Sequence, residues 1–392
     1  MNPDSRIYST FLSTFRSLYG QTPDVVFQAP GRVNCIGDHT DYQGGWSLPI
    51  AITLATTVGL SWRTDGLIQL GSALDTMPRW QGPLDKLQEA GRQADHDAPL
   101  QGLFGFAAAA VDLLAIDRGF DLWVSSTLPA GSGLSSSAAL ALALLSCLAH
   151  PSPMDPKRLV QLAQTVENRY LGVHTGILDQ TAIVFAKAGQ AVLIDAGKHL
   201  ATPIPFDFSS RGYRFWIIDT KTPRTLAASA YDIRVQEAKD ASMSLGLDLL
   251  CQASPKDFER ISDSRLRRRA RHIISENLRV QSTVECAKNG DWAGVADLLS
   301  ESHRSLRDDY EVSTPTLDKV VSVVVDLRKT LSWGNAGARL TGAGFGGSVV
   351  ALLPQDATAK LQEALTEAFP EELTRPVATA IDGAAEGLRQ LG

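Results

Sequence analysis

Arg32, Asp38, His39 and Asp41 fall within ten residues of one another in GRVNCIGDHTDYQGG, positions 31–45. Two carboxylates, an imidazole and a guanidinium at that spacing, framed by glycines, can grip a small polar ligand. A second segment, PAGSGLSSSA, runs from Pro129 to Ala138. Pro129, Gly131, Ser132, Gly133 and Leu134 lead into three consecutive hydroxyls, Ser135, Ser136 and Ser137, at the mouth of a helix that is apolar on every side. Small residues admit backbone N–H groups to a bulky anion, and the helix start points its partial positive end at them. Such a loop is a phosphate cradle whose hydroxyls suit phosphate oxygens or Mg2+. A bare turn between strand and helix is the plainer reading, and the three hydroxyls weigh against it. Neither the Walker pattern G-x-x-x-x-G-K-[ST] nor the elbow G-x-S-x-G fits the segment.

A third segment, GAGFGG at 342–347, satisfies G-x-G-x-x-G. A strand-like run, SVVALL, follows it where a dinucleotide site requires a helix. A tight turn between two strands is therefore expected, with glycines that allow close approach to a ligand or to the first loop.

The elements that must carry these segments follow from periodicity and punctuation. Residues 5–19 read as an amphipathic helix with Ile7, Phe11, Phe15 and Leu18 on one face. DVVFQAP reads as a strand ending at Pro30, LATTVGLSW and LIQLGSAL as further strands, and FDLWVSSTLP as one ending at Pro129. Residues 81–98 read as loop with some helix. DPKRLVQLAQTVENRYLG reads as a single helix, capped by Asp155, begun by Pro156 and ended by Gly172. QAVLIDAG is a strand with a domain boundary soon after it. FWIIDT opens the second half, and helices are expected over 225–246 and 265–289. The run Arg265, Arg267, Arg268, Arg269, Arg271 reads as a solvated helix face.

A chain of 392 residues points to two domains. The net charge, 37 − 43 = −6, argues against a general nucleic-acid binder. Cys35, Cys147, Cys251 and Cys286 are scattered and read as reduced thiols. The N-terminus lacks a charged-then-apolar signal pattern, and the longest apolar stretch, 138–149, is too short for a bilayer. A cytoplasmic protein with neither a nucleic-acid nor a membrane partner is the expectation.

APGRVNCIGDHTDYQGG, LPAGSGLSSSAAL and RLTGAGFGGS occur in the order, and at roughly the separations, of the three motifs of GHMP kinases. The first resembles the galactokinase form G-R-V-N-x-I-G-E-H-T-D-Y in particular. GILDQ at 176–180, LAASAYDIR at 226–234 and SLRDDYEVSTPTLD at 305–318 extend the resemblance. It implies a two-domain α+β GHMP kinase fold, with a ribosomal-protein-S5-like domain over 1–198 and a ferredoxin-like-type domain over 199–392. The active site would lie in the cleft between them.

The resemblance also implies transfer of the γ-phosphoryl of ATP, with Mg2+, to the anomeric hydroxyl of galactose. Asp179 would face that hydroxyl, and Arg32 would be its partner, stabilising charge at the transferring group. Glu167 and Ser137 would be the Mg2+ ligands. Pro129, Gly131, Ser132, Gly133, Leu134, Ser135, Ser136 and Ser137 would hold ATP. Asp38, His39, Asp41, Gly176 and Tyr231 would line the sugar pocket, with a monosaccharide as the partner and a monomer as the working unit. Four departures stand out, one of them Ala141 where the second motif usually ends in glutamate. Asp38 replaces the usual glutamate, Pro223 and Arg224 are unusual where a histidine is customary, and APLQGLFGF replaces the usual Trp-Asn-Tyr segment. The shorter Asp38 keeps open a kinase for another sugar, such as L-arabinose, N-acetylgalactosamine or a substituted galactose. A sugar-and-ATP-binding sensor without turnover is the further alternative.

Overall fold

The computed structural model describes residues 3–74, 78–94, 99–129, 133–173, 175–222, 227–330, 336–381 and 383–391. The N-terminal half runs α1 (Pro3–Tyr19), β1 (Val25–Asn34), β2 (Trp46–Ser47), β3 (Pro49–Arg63), β4 (Leu67–Ser72) and β5 (Trp80–Pro83). It continues through α2 (Leu84–Gln93), α3 (Gly102–Leu114), β6 (Gly119–Ser126), α4 (Ser136–Ala149), α5 (Pro156–Thr165) and α6 (Leu178–Phe185). Next come β7 (Gln190–Asp195), β8 (Leu200–Pro205), β9 (Tyr213–Asp219), α7 (Ala227–Ser244), α8 (Ser264–Lys288), α9 (Trp292–Asp308) and α10 (Pro315–Thr330). The chain closes with β10 (Gly337–Thr341), β11 (Ser348–Pro354), α11 (Thr358–Ala368), β12 (Val377–Ile381) and β13 (Arg389–Leu391).

Three sheets organise these elements: a six-stranded one in the order β13-β1-β3-β6-β4-β5, a four-stranded one, β10-β11-β9-β12, and a three-stranded one, β2-β7-β8. Successive strand residues point to opposite faces, and β1 uses both. Val25, Ala29 and Val33 join the main core with α3 and α4, while Val26 meets Phe11 and Phe15 of α1 beside Trp123. Strand β9 divides likewise. Phe215 and Ile217 pack with Phe206, Phe208 and Trp292 in the main core, while Trp216 and Ile218 face a second core with Ile273, Leu340 and Val349. The four-stranded sheet is thereby packed against the first half rather than hung from it. Helix α4, buried from Ala138 to Leu148, is the central post that carries the serine segment at its tip.

Three expectations change. β1 does not stop at Pro30: it pairs with β3 through Asn34, with a register shift between Pro30 and Arg32. A proline has no N–H for a ladder, and an irregularity is where a strand tolerates one. The helix begun at Pro156, with Asp155 capping the N–H groups of Lys157 and Arg158, gives way at Val166–Tyr170 to a π-helical turn. The β7–β8 hairpin runs through residues 198 and 199, and β13 returns to pair with β1. The arginine run is a solvated face only in part: the side chains of Arg265 and Arg271 are 60% and 40% exposed. Arg269 is 1% exposed and bonds Glu237 and Glu311, Arg268 bonds Glu311, and Arg271 bonds Asp309. Acids from α7 and from the 309–311 loop take up those charges, which helical periodicity on α8 alone does not reveal. Among the described residues no helix is long and apolar enough to cross a membrane.

Candidate active site

The register shift in β1 sends the Arg32 guanidinium inward, where it is 8% exposed. Nε and Nη2 both donate to Oδ1 of Asp179, at 2.9 and 2.5 Å, and Nη1 donates to the Gly133 carbonyl at 2.8 Å. Asp179 sits in the first turn of α6, where the helix dipole favours a negative charge. Its Oδ2 accepts from Ser135 Oγ at 2.7 Å. Ser135 precedes α4 with a φ of +62°, in the left-handed region, and makes no side-chain cap bond. Its hydroxyl serves Asp179, and the first N–H groups of α4 stay open to an anion. A strained backbone at such a point is a mark of a functional site. Ala130, Gly131 and Ser132 lie outside the described residues, as do Pro223 and Arg224.

The π-helical turn places Glu167 in the interior, where it is 3% exposed. Ser137 Oγ donates to its Oε1 and Gln180 Nε2 to its Oε2. Burial, aided by the charge of Asp179, lifts the Glu167 carboxyl to about 7 against the pull of Ser137, Gln180 and Arg32. Two hard oxygen donors side by side, one of them a carboxylate made strongly basic by burial, fit Mg2+.

The 31–45 segment forms the adjoining wall. A Cβ added at Gly176 would lie 2.3 Å from Oδ2 of Asp41, so a larger residue there has to displace that carboxylate. Burial first, then Asp179 and Asp38, push the Asp41 carboxyl up to about 6, although the Tyr42 N–H opposes the shift. Tyr231, from α7, has its ring centroid 5.6 Å from that of His39 and 5.7 Å from that of Tyr42. Burial and the charge of Asp41 raise its phenol well above the usual range. His39 bonds Tyr42 Oη through Nδ1 at 2.9 Å and the Ala343 carbonyl through Nε2 at 3.2 Å, so both ring nitrogens are engaged. Tyr42 Oη in turn meets Tyr310 Oη at 2.7 Å.

Asp38 is engaged by groups of the protein itself. It is 6% exposed; Oδ1 accepts from Asn34 Nδ2 at 2.8 Å, and Oδ2 accepts from Arg339 Nη2 and from the Gly342 N–H at 3.2 Å. The GAGFGG segment is a turn between antiparallel β10 and β11, as its flanking sequence requires. Sequence reasoning missed Gln180, Tyr42, Tyr310 and Arg339 as parts of this assembly. The available signal for Arg339 was a lone charge between apolar neighbours in a strand.

Arg32, Ser135, Ser137, Glu167 and Asp179 thus form one cluster, and Asp41 and Tyr231 are close enough to Asp179 for their titration to feel it. A carboxylate held by a guanidinium and a hydroxyl, between the N-terminus of a buried helix and a polar wall, suits transfer of a phosphoryl group to a hydroxyl.

Comparison with known proteins agrees with that chemistry. Residues 13–61 match the galactokinase galactose-binding signature, 103–187 the GHMP kinases N-terminal domain, and 283–371 the GHMP kinases C-terminal domain. The galactokinase of Streptomyces coelicolor is 35% identical over 363 residues, covering 91% of each chain. The chain belongs to the galactokinase family. The human galactokinase is 33% identical over 383 residues, 94% of each chain. The crystal structure of the Lactococcus lactis galactokinase with galactose superposes with a TM-score of 0.87 at 31% identity, covering 98% of this chain and all of that one. A mevalonate kinase, at 20% identity and a TM-score of 0.66, shares the fold. The GHMP kinase architecture expected from the motifs is the one observed.

Proposed function

We propose that this member of the galactokinase family transfers the γ-phosphoryl group of ATP to the anomeric hydroxyl of galactose. The observation that carries the reading is the Asp179 carboxylate, fixed by Arg32 and Ser135 where the phosphate segment and the polar wall meet. Asp179 orients the attacking hydroxyl and accepts its proton as the bond to phosphorus forms. Arg32, held to both Asp179 and Gly133, sets the carboxylate against the phosphate loop and offsets charge at the transferring group. The open N–H groups of α4 and the hydroxyls of Ser136 and Ser137 bind phosphate oxygens. Glu167 and Ser137 would hold Mg2+, which when bound neutralises charge on the phosphate oxygens. Asp41, Gly176 and Tyr231 grip the sugar. The protein is expected to work as a monomer in the cytoplasm, a setting that the unbridged cysteines suit.

An ATP-coupled assay over about a dozen sugars tests this, since each reading gives a different pattern of turnover. Galactose is expected to give the highest kcat/KM. A kinase for another sugar is the second reading, favoured by the engagement of Asp38 away from the wall, and a much better sugar than galactose would establish it. Absence of sugar-dependent ADP would leave only the sensor.

Two further outcomes check the wall. Gly176→Ala forces a methyl onto Asp41, and such overpacking, typically 1–3 kcal/mol, raises the sugar KM about ten- to hundredfold with ATP affinity retained. Asp41→Asn weakens sugar binding and stabilises the fold. The folded carboxyl is raised to about 6 from an ordinary value of 3.8, so its destabilising contribution is full above pH 6 and fades as pH falls toward 4. Melting curves therefore show a higher Tm for the variant at pH 7 and a shrinking difference at pH 4–5.

A further inference from the structure

We propose that Asp38 is not a sugar ligand but one end of a buried strut, Asp38–Arg339, which positions the sugar loop against the glycine turn of the four-stranded sheet. The inference deepens the proposed function and rests on it. A carboxylate has about four acceptor positions, and a sugar ligand needs at least one facing the cavity. Three on Asp38 are taken, by Asn34, Arg339 and Gly342, and the residue is 6% exposed. Arg339 is wholly buried in the middle of β10, and its Nη1 donates to the Asn34 and Cys35 carbonyls at 3.2 and 3.0 Å. A buried guanidinium depends on partners for its donors; Nε has none among the described residues, and the partners of Nη1 and Nη2 all come from the 34–38 stretch.

The neighbouring bonds run the same way. Thr341 Oγ1 donates to the Asn34 carbonyl at 2.9 Å, and Ala343 O bonds His39. From α8, His272 Nε2 bonds the Asp38 carbonyl at 3.1 Å, and Glu276 accepts the Gly37 N–H at 3.0 Å. The loop that presents Asp41 is thus fixed through residues 272, 276 and 339–343. Asp38 and Arg339 act on the sugar through Asp41 and are positioning residues, and hydroxyl selection on this loop falls to Asp41.

The test measures kcat and KM for galactose and for 2-, 3-, 4- and 6-deoxygalactose with the wild type, Asp38→Asn and Arg339→Lys. A bond between Asp38 and one sugar hydroxyl would appear as coupling between the variant and the matching deoxy sugar. The strut predicts none. Both variants raise the galactose KM about tenfold, the size of one lost charged hydrogen bond, and leave the ATP KM within about twofold. Asp38→Asn then lowers kcat/KM for every deoxy sugar by the same factor as for galactose. A deoxy sugar that is poor with the wild type and no worse with Asp38→Asn overturns the strut, as does an unchanged sugar KM in Arg339→Lys. Where a single variant does not fold, Asp38→Asn/Arg339→Gln, which removes both buried charges, is read by the same uniform-loss criterion. A wild type that turns over none of these sugars refutes the proposed function instead.

Discussion

Asp179→Ala is expected to lower kcat by roughly 10³-fold, within the range for loss of a positioned acid or base, while the dissociation constant for galactose changes only a few-fold. The carboxylate acts where the reacting hydroxyl meets the phosphoryl group, so its interactions strengthen in the transition state and add little to ground-state binding. Both of its oxygens are already held, by Arg32 and by Ser135, so little reorganisation accompanies the reaction. Single-turnover rates with radiolabelled ATP, and titration calorimetry with galactose, separate the two quantities. Turnover within tenfold of the wild type would remove Asp179 from the reacting centre.

Arg32→Lys is expected to lower kcat by about 10²-fold, the scale of one lost donor to developing charge. The change keeps the positive charge and discards the geometry. In the wild type one planar group places Nε and Nη2 on Asp179 and Nη1 on Gly133. An ammonium cannot span both partners from one position. Steady-state kinetics are expected to show the loss in kcat, with an accompanying rise in the ATP KM because Gly133 belongs to the phosphate segment. A loss confined to the sugar KM would place Arg32 in the sugar pocket instead.

The parts of this site that could be read from sequence are those whose chemistry is local. A glycine-serine run before an apolar run announces a helix start, which the structure places at Ser136, and GAGFGG between two apolar runs announces a turn. Asp155 before Pro156 announces a helix start, and the structure shows that cap. The pairing of Arg32 with Asp179 spans 147 residues and came only with the family resemblance. What stayed hidden depends on distant partners. The engagement of Asp38 is decided by Arg339, 301 residues away, and the burial of Arg269 by Glu237 and Glu311. The π-helical turn at Val166–Tyr170 has no marker in a sequence whose periodicity is otherwise helical, yet it is part of what brings Glu167 to Ser137. The return of β13 to β1 ties the end of the chain to the first sheet, and three residues carry too little pattern to foretell it.

In the proposed reaction a sugar's reducing end meets the terminal phosphoryl group beside Arg32 and Asp179. Phosphorus NMR of the product formed from ATP and galactose labelled with carbon-13 at C1 tests it most directly. The expected product is a sugar phosphate whose phosphorus couples to the labelled carbon, formed with one ADP for each sugar consumed. Phosphorus coupled to no labelled carbon, or ADP formed without a sugar phosphate, would contradict it.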